Sequence, residues 1–273
     1  NQQRTKMKKI LPALITGLLL SSATRADENP VTAEKLSDSV YVLFGQGGNI
    51  AASVGEDGIY IIDDQFAKLS NDIKKTISDL KPGSAEFVIN THHHGDHTGG
   101  NENFAKAGAH VIAHDNVHKR LEEKHGANSD YLQRISFGHD LKLHFNNEHA
   151  HVVHYAHAHT DGDSVIFFNN DNIVHMGDIY FNFGSLPFVD VDSGGSVDGI
   201  LAAVNDVIKQ IDERTIVIPG HGPVSDRSGL VTYAKLVKKA KDLMLKAMQN
   251  NASLEQEIKA DPLAELGLEY AGW

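Results

Sequence analysis

The chain has 273 residues, with 25 basic against 36 acidic side chains, and is 41% hydrophobic and 22% charged, a globular composition that excludes a disordered or fibrous protein. Its length suffices for one large α/β domain or two small ones. The absence of cysteine excludes disulfides, thiolate nucleophiles and zinc–thiolate sites, and a formal charge of −11 speaks against nucleic acid or an anionic membrane as partner, because phosphate contacts need clustered Lys and Arg.

The chain opens on a segment that reads as an export signal. Lys8 and Lys9 follow Met7, Ile10 to Leu20 are mostly apolar, and Ala23-Thr24-Arg25-Ala26 offers small residues for cleavage. The apolar run is shorter than the roughly 18 residues a membrane span requires. Residues 7–26 are therefore expected to be a signal peptide and 27–273 the exported, periplasmic protein, with no membrane partner after cleavage.

Short β-rich runs follow at Val40–Phe44, Ile50–Val54 and Ile59–Ile62, divided by Gly and Asp-Gly turns. Leu69, Ile73, Ile77 and Leu80 recur at helical spacing over 68–80. Glu86–Ile89 reads as a buried strand that enters the loop beginning Asn90-Thr91. A helix after Gly100, a strand at Val111–Ala113 and a helix over 115–124 come next. A second group of strands is expected at Leu141–Phe145, Ala150–Tyr155, Ser164–Phe168 and Ile173–His175. Helices over 196–211 and 228–249 flank one more strand, Thr215–Ile218. Each half thus reads strands first and helices after, and one domain of two sheets covered by outer helices is the simplest packing.

Histidine is the compositional outlier, at 17 residues. With cysteine absent, surplus imidazole directs attention to metals held by nitrogen and oxygen. The segment Thr91-His92-His93-His94-Gly95-Asp96-His97-Thr98-Gly99-Gly100 puts several imidazoles and a carboxylate on a loop just after a buried strand. His92 and His94 can point the same way from an extended loop, while Asp96 and His97 can face a second metal. A purification tag would lie at a terminus, without Asp96 or the flanking strand.

His-x-His-x-Asp-His after a strand resembles the signature of the metallo-β-lactamase superfamily, and further segments resemble that family in order. Gly58 to Asp63 resembles the strand whose final Asp buttresses the metal loop, with Asp63 a better match than Asp64. Ala158-His159-Thr160 resembles the Gly-His-Thr segment, Met176-Gly177-Asp178 the motif of the bridging aspartate, and Pro219-Gly220-His221-Gly222 the last histidine motif. The resemblance covers about residues 40–225. It implies a four-layer αββα sandwich of the α/β class and a dinuclear site. One zinc would be held by His92, His94 and His159, the other by Asp96, His97 and His221, with Asp178 bridging. Such a site opens an amide or ester with a water whose pKa the two metals lower, and Asp96 would orient that water as the catalytic residue. An all-nitrogen-and-oxygen ligand set also accommodates iron or manganese.

The resemblance implies a small-molecule carbonyl amide or ester as substrate. A β-lactam is the first expectation and a lactone or thioester the alternative, with a periplasmic zinc-binding protein without turnover as a third. Two positions depart from the best-known β-lactamase branch: Asp178 replaces a zinc-binding cysteine, and Phe181 replaces a lysine that pairs the drug carboxylate. Elsewhere, His93 is expected to be solvated and His110, His114, His118 and His125 to lie on the surface. Strand alternation puts His149, His151, His157 and His159 on one parity and His154 on the other, so that His157 either reaches the site or is exposed. Residues 181–188, rich in aromatics, form a substrate wall or pack under a helix. The sequence specifies no oligomeric state.

Overall fold

The computed structural model describes residues 30–249 and 253–268; the expected signal segment lies outside them. A first sheet contains β1 (Thr32–Lys35), β2 (Val40–Phe44), β3 (Ile50–Val54), β4 (Ile59–Ile62), β5 (Phe87–Ile89), β6 (His110–His114) and β7 (Ile135–Phe137), side by side in that order. Its first four strands meander antiparallel, and β4 to β7 run parallel. The helices α1 (Ser70–Leu80), α2 (Gly95–Thr98), α3 (Asn101–Lys106) and α4 (Asp115–His125) lie in the connections between its parallel strands. A second sheet has the order β13-β12-β11-β10-β9-β8, built from β8 (Asp140–Phe145), β9 (Glu148–His154), β10 (Ser164–Phe168), β11 (Ile173–His175), β12 (Ile216–Ile218) and β13 (Ser225–Asp226). The long helices α5 (Val197–Gln210) and α6 (Arg227–Met248) follow β11 and β13, and α7 (Leu254–Ala260) and a 3-10 turn at Ala264–Leu266 come last among the described residues.

Side-chain alternation explains the layering. Along β2 to β6, Val42, Ala51, Tyr60, Ile62, Ile89 and Ile112 point to one face and meet Val152, Ile166, Phe168, Ile173 and Ile218 of the second sheet. The opposite face of the first sheet, with Ile59, Ile61, Val88 and Val111, is covered by Ile73 and Ile77 of α1 and Phe104 of α3. On the far side of the second sheet, Val165, Val174 and Val217 pack under Ile200, Val204 and Val207 of α5 and Leu230 and Val237 of α6. The result is the expected αββα order. Strands buried on both faces read as continuous apolar runs, which is why β4 and β10 are so plain in the sequence.

Four elements exceed the expectation. The edge strand β1 has all four residues exposed and so lacks an apolar pattern. β7 is short and half exposed, β13 has two residues, and α2 is a single helical turn inside the expected metal loop. Among the described residues no helix is long and apolar enough to cross a membrane.

Candidate metal centre

Five strand ends converge on one edge of the sandwich. β5 delivers Asn90 and the loop to α2, β4 ends beside it at Asp63, the turn after β9 carries His159, and β11 and β12 lead to Asp178 and His221. Turns hold these segments together through main-chain bonds. Asn49 N–H donates to the Gly220 carbonyl at 2.7 Å, and the Asn49 side chain donates to the Pro219 and Gly222 carbonyls at 2.9 and 2.8 Å. Glycine is required where the backbone passes under the site: a Cβ at Gly48 would strike the His97 ring, and one at Gly220 the Asp178 carboxylate.

Among the described residues three groups of donor atoms are each compact enough to hold a metal ion: His93, His94 and Asp190, and two that contain the residues picked from the sequence, namely His92, His94, His159 and Asp178, and Asp96, His97 and His221. Asp178 joins the latter two. Its Oδ2 lies 3.7 Å from His92 Nε2 and 3.6 Å from His159 Nε2, while its Oδ1 lies 3.0 Å from His97 Nε2 and 3.4 Å from His221 Nε2. Asp96 Oδ2 is 3.2 Å from His221 Nε2. All seven residues picked from the sequence therefore meet at one place.

Each of four rings is steered by a partner on its outer nitrogen. Asp63 accepts from the Thr91 N–H and hydroxyl and from His97 Nδ1 at 2.7 Å. With its proton given to Asp63, the Thr91 hydroxyl accepts from His92 Nδ1 at 3.0 Å. His94 Nε2 donates to Asp190 Oδ2 at 2.9 Å, and His159 Nδ1 to the Phe188 carbonyl at 2.9 Å. The second nitrogen of the His92, His94 and His159 rings is thereby left unprotonated and turned inward, while that of His97 faces the Asp178 carboxylate at 3.0 Å. His94 Nδ1 and His159 Nε2 consequently face each other at 3.0 Å with lone pairs opposed. The buried His92 Nε2 has no hydrogen-bond partner. Facing lone pairs and orphaned buried acceptors are costly unless a cation lies between them, so these residues fit a metal.

The electrostatics agree. Burial lowers the basicity of His92. Burial opposes charge on His97 too, yet Asp178 and Asp63 outweigh it and hold that ring's pKa well above the ordinary value. His221, partly buried, is raised to about 9 by Asp178 and Asp96. Asp178 stays well below the carboxylate range, because His97 and His92 overcome its burial. Positive charge is thus favoured on the His97 and His221 side of Asp178 and disfavoured on His92 and His94.

Several residues depart from the expectation. His93 is half buried, with its ring 4.6 Å from that of His94 and Nε2 3.4 Å from the Ser193 hydroxyl. His157, by contrast, takes the second of its two expected places and is exposed: β9 ends at His154, the parity ends with it, and His157 adopts φ +55° with its ring on the Gly194 carbonyl. His114 is buried, not superficial, and stacks on His154. The aromatic segment divides. Phe181 is buried, stacked 5.3 Å from the His221 ring, whereas Phe188 is 53% exposed with its ring 6.2 Å from His94 and 5.9 Å from His159. Asp190 has no sequence signal; only the fold brings it to His94.

Known proteins share this arrangement at two levels. The model of the metallo-β-lactamase superfamily matches residues 66–225. Similar curated proteins include a probable hydroxyacylglutathione hydrolase of Schizosaccharomyces pombe, 27% identical over 139 residues, covering 50% of this chain and 48% of the relative. The hydroxyacylglutathione hydrolase of Pelagibacter ubique is 28% identical over 137 residues, covering 50% and 51%. The chain spans about half the length of the curated relatives it matches. Among solved structures, a metallo-β-lactamase from Pontibacter korlensis superposes with a TM-score of 0.68 at 16% identity, over 76% of this chain and 99% of that one. The DIM-1 metallo-β-lactamase gives 0.67 at 17% identity, over 77% and 98%. At such identities the structural likeness is one of fold. Together with the family match over more than half of the sequence, it shows that the chain belongs to the metallo-β-lactamase superfamily.

Proposed function

We propose that the protein is a dinuclear metal-dependent hydrolase of thioesters or lactones, exported by its first segment, with zinc as the metal and with His92, His94, His159, Asp96, His97, His221 and Asp178 as ligands. The observation that carries the dinuclear reading is Asp178, whose two oxygens face the two donor groups separately. When bound, the paired ions supply Lewis-acid polarisation of a carbonyl and a water of lowered pKa.

The chain's own residues do the rest. Asp178 keeps the two donor groups side by side, and Asp63, Thr91 and Asp190 fix the ring orientations. Asp96 is the one carboxylate of the centre with its side chain partly open, 27% exposed, which suits it to orient the attacking water and accept its proton. Phe188, exposed beside two of the histidine rings, gives the mouth an apolar wall for an acyl group.

Two findings move the substrate from a β-lactam, the first expectation, to the alternative. The curated relatives are named as hydroxyacylglutathione hydrolases, whose substrates by that name are thioesters. The position where a lysine would pair a β-lactam carboxylate is Phe181, a buried ring packed on His221. Arg120, near His93, is already held by Asp161 through two bonds of 2.8 Å.

Turnover of an S-hydroxyacylglutathione, a γ-lactone and nitrocefin, measured side by side, tests the reading. The thioester or the lactone is expected to have the highest kcat/KM, and Asp96→Ala to lower it by about two to four orders of magnitude. Nitrocefin turned over faster than both would restore the β-lactam.

A further inference from the structure

The outer face of the β8–β9 hairpin carries a set of side chains that the centre does not use. Helices α5 and α6 cover the second sheet over Val153, Val165 and Val174 and leave the hairpin beyond them open. Its outward positions are Asp140, Lys142 and His144 on β8, and His149, His151 and Val153 on β9. Asn146 and Asn147, at φ +58° and +57°, form the two-residue turn. That turn makes Phe145–Glu148 the closing hydrogen-bonded pair and His144–His149 the non-hydrogen-bonded pair beside it, where facing side chains come closest.

The two imidazoles meet in the geometry of the three-histidine group of the candidate centre. Their ring centroids are 4.8 Å apart at an interplanar angle of 75°. In the three-histidine group of the centre the corresponding values are 4.7 Å and 83°, 4.8 Å and 89°, and 4.8 Å and 86°. The pair His114–His154, by contrast, stacks at 3.5 Å and 11°. His144 and His149 are both exposed, so water can complete a coordination shell. On the same face His151 Nε2 lies 2.8 Å from Asp140 Oδ2, which adds an imidazole and a carboxylate one rung along, across from Lys142.

We propose that His144 and His149 form a second, surface metal site for a borderline first-row dication such as zinc, separate from the centre in the strand-end pocket. Imidazole is the donor that such ions prefer, and two protein ligands with water make it a weak, exchangeable site. Joining two donors on one rigid hairpin makes the second bond intramolecular, so the pair binds far more tightly than either ring alone.

The test is equilibrium dialysis of the tag-free, zinc-loaded protein against zinc. The wild type is expected to take up one further equivalent at micromolar free zinc. His144→Gln and His149→Gln should each weaken that uptake by about a hundredfold, while His110→Gln leaves it unchanged and all variants keep the wild-type circular dichroism and metal content of the centre. The site is overturned if the wild type takes up no further equivalent, or if both hairpin variants bind it as the wild type does. Because the readout is zinc uptake and not turnover, a failure of the thioester or lactone reading would leave this result standing.

Discussion

Asp190 is a carboxylate outside the proposed ligand set that orients a histidine inside it, His94. It accepts from His94 Nε2 and is pinned in turn by the Ser193 N–H at 3.0 Å. Burial would raise its pKa, but the bonds from Ser193 and His94 hold it down to about 2, so it is ionised at any working pH. An ionised partner on Nε2 keeps the proton there and the lone pair on Nδ1, the nitrogen that faces His159. Asp190→Ala is therefore expected to weaken metal affinity about 10- to 100-fold in a chelator competition, with Asp190→Asn in between. A merely structural role for Asp190 predicts a lower melting temperature with metal affinity unchanged. This residue was invisible in the sequence, where Pro187-Phe188-Val189-Asp190 has neither a motif nor a periodic pattern. The seven inner residues were legible because they lie in ordered segments that resemble the superfamily's motifs.

At the scale of elements, strand length decided what could be read. Fully buried strands such as β4 and β10 announce themselves, and their ends place Asp63 and the turn to His159. The exposed edge β1 and the short β13 bury too little to leave a pattern. The parity argument ends before His157 for a related reason: β9 stops at His154, held by its Nδ1 donating to the Asp163 carbonyl at 2.9 Å, and a turn follows. There His154 stacks on His114, whose Nε2 donates to the Gly138 carbonyl, joining an end of β6 to an end of β9. Burial, and then His114, lowers the pKa of His154 to about 4, and burial lowers that of His114. The folded state thus refuses protons that the unfolded chain accepts. The contribution is complete above the unfolded pKa near 6.5 and is lost as pH falls toward 4. In chelated protein, denaturant midpoints should fall over that window, and His154→Gln should flatten the fall. An unchanged slope in the variant would remove the stacked pair from the account.

For the molecule as a whole, the two sheets share one apolar layer while their strand ends open on one edge, and that edge gathers the candidate ligands from four loops far apart in sequence. The αββα order was legible from strands grouped with helices; the order of strands within each sheet was not, because register depends on pairing and not on local pattern. The likeness to solved metallo-β-lactamases reaches the fold. What all of this rests on is the paired centre joined by Asp178. The direct measurement is elemental analysis of exhaustively dialysed protein, wild type and Asp178→Ala, together with thioester and lactone hydrolysis before chelation, after it and after return of zinc. The account predicts two ions per wild-type chain, fewer in the variant, and activity that disappears with the chelator and returns with zinc. Activity that survives complete removal of metal, or a wild type that holds a single ion, would contradict it.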